Sequence, residues 1–301
     1  MKLLKKSSLR RNKVRNKLTT SLTPQMLPFT QREHLIQLLS LDLDGTLLDE
    51  NKQVTPRTRR ALDRLRNAGI HLAINSGRPF SGLREAMEQS GFCEGDFVIS
   101  NTGSIIHQLG REEPIQQHTM TLKDFWTIRE QITVPGVQVA LGTPGDLYLV
   151  ESEPNAAVRK EARTLKIQIR PIAEAPEDIV VSRVTLMGET DAVTQAFEQS
   201  QVLADRYRLE RNETFFSELT HQDSGKGRAL LHLADWLGLS HETVMAVGDG
   251  MNDREMIAAA GVGVAMANGV EDIRTMADLV IGDHREEGLA QFLETYFSIQ
   301  V

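Results

Sequence analysis

Three short polar strings, spread over most of the chain, each follow an apolar run. They are residues 41–46 (LDLDGT), 75–78 (NSGR) and 248–253 (GDGMND). Carboxylates beside apolar surface are costly unless a cation or hydrogen-bond donors compensate them. Each string stands at the exit of a candidate strand, so the spacing predicts a single polar site on which all three converge.

The first string contains two aspartates with a spacing suited to acid–base chemistry. Residues two apart in a strand point to the same side, so Asp42 and Asp44 can both reach the crevice beyond the strand's carboxyl end. Such neighbours repel each other unless a cation lies between them or one holds a proton. One could therefore act as a nucleophile and the other as a proton donor. Oxygen ligands without His or Cys favour Mg²⁺, whereas a surface turn with capping aspartates is the simpler alternative.

The second string offers donors for an anion. Ser76, Gly77 and Arg78 supply a hydroxyl, free backbone N–H groups and a cation, which suit phosphoryl oxygens. A plain strand-to-helix turn before Pro79 is the alternative. Lys226, between two glycines at a candidate helix start, would add positive charge where a phosphorus centre develops negative charge.

The third string adds further polar side chains at the end of another strand. Asp249 could complete the ligand set of a metal, while Asn252 and Asp253 could position water, Lys226 or a substrate. Asp and Asn also cap helices, a role worth about 1 kcal/mol. One cap accounts for one residue, so it leaves the other polar side chains of this string unexplained.

Composition and charge restrict the classes of protein that fit. The chain has 301 residues, 40% hydrophobic and 25% charged, enough for one large domain or two ordinary ones. No apolar stretch reaches the ~20 residues of a membrane helix. The single cysteine, Cys93, and the lack of a Cys/His cluster with zinc spacing predict a cytoplasmic protein without an intrachain disulfide.

The charge is distributed unevenly along the chain. Residues 1–30 carry eight basic side chains and no acidic one, and removing these from the net charge of −7 leaves −15 for the remainder. An acidic body argues against a nucleic-acid groove. Residues 1–33 are predicted to be a disordered basic tail. Sequence upstream of a true start at Met26, or a targeting or anionic-surface tether, are the alternatives.

Apolar patterning divides the rest of the chain into two kinds of sequence. Strands alternate with helices in residues 34–110 and 213–301, which predicts an α/β domain with a doubly wound parallel sheet. Its candidate strands are residues 36–43, 70–74, 97–99, 243–247, 262–265 and 279–281. Residues 111–212 instead contain hairpin-like strands at 137–141 and 147–150, and helices that include 191–207. This stretch predicts a small antiparallel α+β domain inserted into the first.

The strings, in this order, resemble the phosphatases of the haloacid dehalogenase (HAD) superfamily, and most of all its Cof-like type IIB branch. The resemblance covers residues 37–300 and includes residues 216–220, 263–268 (GVAMAN) and 287–290 (EGLA). It implies a Rossmann-like core with an α+β cap inserted between the second and third motifs. The family often has Asn-Gly-Ala after the third strand, where this chain has Asn-Thr-Gly-Ser at 101–104.

The resemblance also implies roles for the polar residues. Asp42 is the nucleophile that forms an aspartyl-phosphate, and Asp44 protonates the leaving alcohol and then activates water. Mg²⁺ is bound by Asp42, the backbone carbonyl of Asp44, and Asp249. The phosphoryl group is held by Ser76, Gly77, Arg78 and Lys226, and the phosphoryl group and metal are supported by Asn252 and Asp253.

The function expected from residues and resemblance is hydrolysis of a phosphomonoester. The substrate is a small phosphorylated metabolite, such as a sugar phosphate, FMN or pyridoxal phosphate, over which the cap closes. A phosphomutase acting on a hexose phosphate, or a non-catalytic regulator that binds a phosphorylated ligand, are the alternatives. No nucleic-acid or membrane partner is expected, and both a monomer and a dimer remain open.

Overall fold

Two β-sheets organise the residues that the computed structural model describes, 36–211 and 213–298. In chain order the strands are β1 (Leu38–Leu41), β2 (His71–Asn75), β3 (Phe97–Ser100), β4 (Ile105–Gln108), β5 (Gln116–Gln117), β6 (Gln138–Gly142), β7 (Asp146–Leu149), β8 (Gln168–Pro171), β9 (Arg183–Met187), β10 (Tyr207–Glu210), β11 (Phe216–His221), β12 (Val244–Gly248), β13 (Val262–Met266) and β14 (Leu279–Ile281). The helices are α1 (Pro56–Asn67), α2 (Arg84–Ser90), α3 (Leu122–Gln131), α4 (Ala156–Leu165), α5 (Thr190–Ser200), α6 (Lys226–Trp236), α7 (Arg254–Ala259), α8 (Glu271–Met276) and α9 (Gly288–Tyr296).

The first sheet has the order β14-β13-β12-β1-β2-β3-β4-β5, and its first six strands are parallel. The register aligns Leu41 of β1 with Val247 of β12 and Ile74 of β2. The carboxyl ends of these three strands therefore meet at one edge, as in open α/β sheets that bind ligands there. β4 and β5 extend the sheet in the antiparallel sense.

Helices cover both faces of the first sheet, because the strands are apolar on both sides. Leu39 and Leu41 of β1 belong to a cluster with α1, α2 and α9. Leu38, on the other face, belongs to a cluster with α6, α7 and α8. This arrangement confirms the predicted doubly wound α/β core.

The second sheet has the order β10-β11-β9-β6-β7-β8 and is antiparallel except between β7 and β8. The apolar residues of α3 and α5 pack on one face, and those of α4 pack on the other. Its polar side chains alternate with apolar ones, so Arg183 and Thr185 of β9 share the α4 face while Val184 and Leu186 face α3 and α5.

The chain crosses between the sheets after β5 and after β11, which differs from the sequence-based boundaries. β11 lies in residues 213–301 but pairs with β9 and β10 of the second sheet, because it buries Phe216 and Leu219 there. The helix predicted for residues 191–207 ends at Ser200, and Tyr207 begins a strand paired with β11. The division into independent domains remains a prediction, and we propose crossings at 118–119 and 222–225.

Some predictions fall on residues that are not described. The basic tail at 1–33, with Met26, lies outside the described residues. Within residues 36–211 and 213–298, none of the helices combines the length and apolar character needed to cross a membrane.

Candidate active site

The polar strings lie at the carboxyl ends of neighbouring strands of the first sheet. Asp42 directly follows β1 and Asp249 directly follows β12, while Ser76 follows β2. The backbone N–H of Asp42 still donates to the carbonyl of Val247 at 2.9 Å, which continues the ladder and fixes where the side chain begins. Parallel pairing thus brings residues more than 200 positions apart to one edge.

A buried lysine lies among three carboxylates at this edge. Lys226 Nζ donates to Asp42 Oδ1 at 2.5 Å and to Asp253 Oδ1 at 2.7 Å. One carboxylate oxygen from each of Asp42, Asp249 and Asp253 lies within 4.8 Å of the others. Lys226 and Asp253 are fully buried, and Asp42 is 5% exposed. We name Asp42, Asp249, Asp253 and Lys226 the acidic site.

The acidic site has less positive than negative charge. Three ionised carboxylates and one ammonium group would leave a net charge of −2 where water is nearly excluded. Burial, and then the charge of Asp253, raise the pKa of Asp42 well above its ordinary value, although Lys226 opposes this. Burial and Asp253 likewise raise the pKa of Asp249 to about 6. A divalent cation held by these oxygens would remove the imbalance, so the donor set fits one.

Lys226 remains positively charged in this setting. Burial alone would lower its pKa, but the charges of Asp253 and Asp42 and the hydrogen bonds to them outweigh burial and raise it. Asn75 Nδ2 donates to the Lys226 carbonyl at 3.0 Å, which fastens the start of α6 to the end of β2. The lysine is therefore a fixed cation at the centre of the acidic site.

Asp44 lies beside the acidic site but has other partners. Arg78 holds it with two hydrogen bonds, Nε to Oδ2 at 2.8 Å and Nη2 to Oδ1 at 2.7 Å. Lys52 Nζ donates to Asp44 Oδ1 at 2.8 Å. Burial would raise the pKa of Asp44, but the hydrogen bond and charge of Arg78, followed by those of Lys52, lower it. Asp44 is consequently ionised, and Arg78 is engaged with a carboxylate.

The remaining predicted residues occupy different surroundings. Ser76 is buried, and its Oγ accepts from the backbone N–H of Arg78 at 3.2 Å. A Cβ at Gly77 would be only 3.4 Å from Thr102 Oγ1, so this backbone packs closely against the turn after β3. Asn252 lies in the short turn before α7 and lines a cavity of about 460 Å³ with Arg208.

The turn after β3 points its polar side chains toward the second sheet. Asn101, Thr102 and Gly103 have positive φ angles of 50°, 54° and 82°. Asn101 Nδ2 donates to Ser182 Oγ at 2.8 Å, and Thr102 Oγ1 donates to Glu218 Oε1 at 2.7 Å. The Asn-Thr-Gly-Ser departure from the family pattern is thus a contact between the two sheets.

Comparison with known proteins identifies one family. The sequence profile of the haloacid dehalogenase-like hydrolases matches residues 39–293. The chain belongs to the haloacid dehalogenase-like hydrolases. The family that the sequence resembles is thereby confirmed.

Individual relatives agree with this assignment. A 5-amino-6-(5-phospho-D-ribitylamino)uracil phosphatase of Bacillus subtilis (strain 168), YitU, is 26% identical over 87% of this chain and 98% of its own length. The phosphatase YwpJ of the same organism is 27% identical over 86% of this chain and 99% of its length. A crystal structure of a haloacid dehalogenase-like hydrolase from Bacteroides thetaiotaomicron is 28% identical, covers 87% of this chain and 100% of that one, and has a TM-score of 0.78. The family match and the relatives named as phosphatases identify the present chain as a phosphatase.

The hydrolase contains supporting contacts that sequence reasoning missed. Thr46 Oγ1 donates to Asp249 Oδ1 at 3.2 Å, and Asn268 Nδ2 donates to the Gly45 carbonyl at 2.9 Å. Lys52, the partner of Asp44, was not singled out either. Thr46 belongs to the string at residues 41–46, and Asn268 belongs to residues 263–268. Their polar side chains among apolar neighbours were a signal that could have identified them. Lys52 lies in an exposed turn, where a lysine is ordinary, so the sequence contained no signal for its contact with Asp44.

Gly45 lies next to the acidic site at a position where a side chain has no room. Its φ is +84°, and an added Cβ would lie 2.4 Å from Asp249 Oδ2. Gly45→Ala is expected to displace the Asp249 carboxylate and to raise the divalent-ion concentration for half-maximal activity at least about tenfold. The measurement is hydrolysis of a phosphate ester against metal concentration.

Gly69→Ala provides the matched control for backbone strain. Gly69 has φ +86°, but nothing lies within 4 Å of its added Cβ. Both variants are expected to lose about 1–2 kcal/mol of stability from the left-handed backbone. Only Gly45→Ala should change the metal requirement, and an equal change in Gly69→Ala would contradict this account.

The raised pKa of Asp249 predicts a pH dependence for the metal-free hydrolase. The folded protein keeps a proton on Asp249 up to about pH 6, whereas an unfolded chain releases it near about pH 4. Stability therefore rises on acidification through this window, by about 1.4 kcal/mol from about pH 7.5 to about pH 5. The measurement is denaturant unfolding of the metal-free protein across this pH range.

The quantity to compare is the free energy of unfolding at each pH, as the difference between wild type and Asp249→Asn. Burial lowers the pKa of His71 and His107, so these rings destabilise the fold as pH falls. They are present in both proteins and cancel in the difference. Identical pH profiles for the two proteins would show that Asp249 does not hold the proton.

Proposed function

We propose that this hydrolase is a Mg²⁺-dependent phosphomonoesterase that acts on a small phosphorylated metabolite through an aspartyl-phosphate on Asp42. The observation that carries the proposal is the acidic site, where three carboxylates and one buried lysine converge at the ends of β1 and β12. An all-oxygen donor set suits Mg²⁺. Asp42, the carbonyl of Asp44 and Asp249 would hold the ion.

Asp42 is the proposed nucleophile. Its carboxylate oxygen attacks phosphorus, forming an Asp42 O–P bond while the bond from phosphorus to the leaving oxygen breaks. Lys226, which is held 2.5 Å from Asp42 Oδ1 and stays charged, offsets negative charge that develops on the phosphoryl oxygens. Ser76 lies at the end of the next strand, where its hydroxyl could donate to the same group. Mg²⁺ bound by Asp42, the Asp44 carbonyl and Asp249 would supply further charge neutralisation.

Asp44 is the proposed general acid and base. Its hydrogen-bond partners determine whether it carries a proton. Held by Arg78 and Lys52, it is ionised and cannot donate a proton. A substrate phosphoryl group is a competing anion for the Arg78 guanidinium, because both carboxylate and phosphate match its forked donors. Transfer of Arg78 to the phosphoryl group would remove the larger of the two cationic influences on Asp44, leave only the exposed Lys52 beside it, and so favour uptake of a proton.

The two half-reactions then balance. Asp44 gives its proton to the leaving alkoxide, and later takes a proton from the water that attacks phosphorus. Inorganic phosphate leaves, and Asp42 is regenerated as a carboxylate. Most of the rate enhancement comes from in-line positioning of the reacting groups and from charge neutralisation.

The substrate class is proposed from chemistry and from relatives. YitU is named for a phosphorylated ribityl compound, and a relative from Methanopyrus kandleri that is 26% identical is named phosphoglycolate phosphatase. Both names describe small phosphomonoesters. A sugar phosphate, FMN or pyridoxal phosphate fits the same description. A cytoplasmic location also remains a proposal, supported by the single free cysteine, Cys93.

The test is a panel of phosphorylated metabolites and p-nitrophenyl phosphate, assayed for released phosphate with Mg²⁺ and with a chelator. We expect Mg²⁺-dependent release from at least one small phosphomonoester. Formation of an isomeric hexose phosphate without phosphate release would identify a mutase instead. No turnover anywhere in the panel would favour a non-catalytic binding protein.

A further inference from the structure

A second group of ligating side chains lies away from the acidic site. His118, His221 and Asp223 each offer a ligand atom within 4.8 Å of the other two. The two imidazole rings are stacked, with centroids 5.3 Å apart and planes inclined by 13°. We name these three residues the crossing cluster.

The crossing cluster lies where the chain passes between the two sheets. His118 follows β5 of the first sheet, and His221 ends β11 of the second. Backbone hydrogen bonds hold both segments, from His118 N–H to the Ser104 carbonyl at 2.7 Å and from Ser224 N–H to the His221 carbonyl at 2.9 Å. Segments far apart in sequence thus place two imidazoles together on a fixed backbone.

The side chains have room to converge further. The His221 and Asp223 side chains are 38% and 65% exposed, and His221 Nδ1 lies 3.8 Å from Asp223 Oδ2. Ligands of a tetrahedral zinc ion, with bonds of about 2.0–2.1 Å, are about 3.4 Å apart. Binding would need rotation of the exposed carboxylate, and rotation of the two stacked rings so that one nitrogen of each points at a shared centre.

Two existing contacts compete with a metal. The backbone N–H of Asp223 donates to His221 Nδ1 at 3.2 Å, and Arg228 Nη1 lies 3.8 Å from Asp223 Oδ1. The first is an exposed hydrogen bond, which metal binding through Nδ1 would replace. The second is a solvent-exposed pair of little energetic weight. Neither contact therefore prevents a metal ion from binding.

We propose that the crossing cluster binds a transition-metal dication of the zinc type, and that the bound ion links the two segments that join the sheets. Two imidazoles and a carboxylate suit Zn²⁺, Co²⁺ or Ni²⁺, whereas the oxygen-only acidic site suits Mg²⁺. The crossing cluster therefore selects a different ion from the acidic site. This inference does not depend on the proposed function.

A bound ion would connect the two chain segments that join the sheets. It would link His118, on the outgoing segment, to His221 and Asp223, on the returning one. Relative movement of the sheets must pass through these segments, so the ion would restrict it. The hydrolase would then be more resistant to unfolding with micromolar Zn²⁺ present, because the ion binds only the folded arrangement.

The test is isothermal titration of Zn²⁺ into the full chain in saturating Mg²⁺, followed by Co²⁺ absorption spectra. We expect one Zn²⁺ per chain, and a Zn²⁺ affinity at least about tenfold weaker in His118→Ala and in His221→Ala. The Co²⁺ spectrum of the wild type should show nitrogen ligation that both variants lack. Asp223→Asn, an exposed change, gives a third variant if either histidine variant folds poorly.

His241→Ala is the matched control. His241 Nε2 lies 2.7 Å from Asp235 Oδ1 on an exposed surface, so this site also pairs an imidazole with a carboxylate. Its loss should leave Zn²⁺ binding unchanged. Unaltered Zn²⁺ affinity in both histidine variants would overturn the proposal. Zn²⁺ binding that disappears in Asp249→Asn instead would also overturn it, because the ion would then belong to the acidic site.

Discussion

Replacing Asp42 with Asn is expected to reduce phosphate-ester hydrolysis at least about 10⁴-fold while the protein remains folded. The amide keeps the shape of the carboxylate but cannot attack phosphorus. It also removes one negative charge from a site that has too many, so no stability should be lost on that account. The measurement is kcat with p-nitrophenyl phosphate at saturating Mg²⁺, together with a thermal unfolding curve.

Asp96→Asn is the matched control for this substitution. Asp96 is also a buried aspartate, 4% exposed, and accepts hydrogen bonds from Arg66, but it lies before β3 and away from the acidic site. Its loss should lower stability and leave kcat near that of the wild type. Unchanged hydrolysis by Asp42→Asn would contradict the assignment of the nucleophile.

Lys226→Met is expected to destabilise the metal-free protein by about 3–5 kcal/mol and to remove most activity. Methionine fills a similar volume but leaves Asp42 and Asp253 without their shared cation in a buried site. Stability should return in part when Mg²⁺ is added, since the ion supplies the missing positive charge. The measurements are denaturant unfolding with and without Mg²⁺, and phosphate release.

A second substitution separates charge from packing. Adding Asp253→Asn to Lys226→Met removes one uncompensated carboxylate, so the double variant should be more stable than Lys226→Met alone. If the two changes instead destabilise additively, the cost of losing Lys226 would be one of packing. The acidic site would then not depend on charge balance.

The edge of the sheet at which the polar side chains gather was predictable from the sequence. Parallel strands place their carboxyl ends together, so Asp42, Asp249 and Ser76 could be assigned to one crevice without coordinates. The structure does bring Asp42, Asp249, Asp253 and Lys226 together. What each residue does there remains a prediction. The family and its doubly wound core were predicted and are confirmed.

Other features depended on pairing that local patterns do not encode. Arg78 forms two hydrogen bonds with Asp44, a pairing that the sequence did not predict, and its binding of phosphate remains a prediction. The helix predicted for residues 191–207 extended to Tyr207, the first residue of β10, whose strand character comes from pairing with β11. Tertiary contacts decided both outcomes.

The crossing cluster also could not be predicted from local sequence patterns, because its residues are far apart in the chain. His118 and His221 are more than 100 residues apart, and neither has the spacing of a sequence-encoded metal site. Only the return of the chain beside its own outgoing segment brings the two rings within stacking distance. Sequence spacing therefore gave no reason to pair them.

The most direct test of the central claim is chemical trapping of the phosphorylated enzyme. Asp44→Asn slows release by water, while p-nitrophenolate leaves without an acid, so the aspartyl-phosphate should accumulate. Borohydride reduces an acyl phosphate to an alcohol, and mass spectrometry should then find homoserine at position 42. An unmodified Asp42 during turnover, or a label on Asp249 or Asp253 instead, would contradict the account.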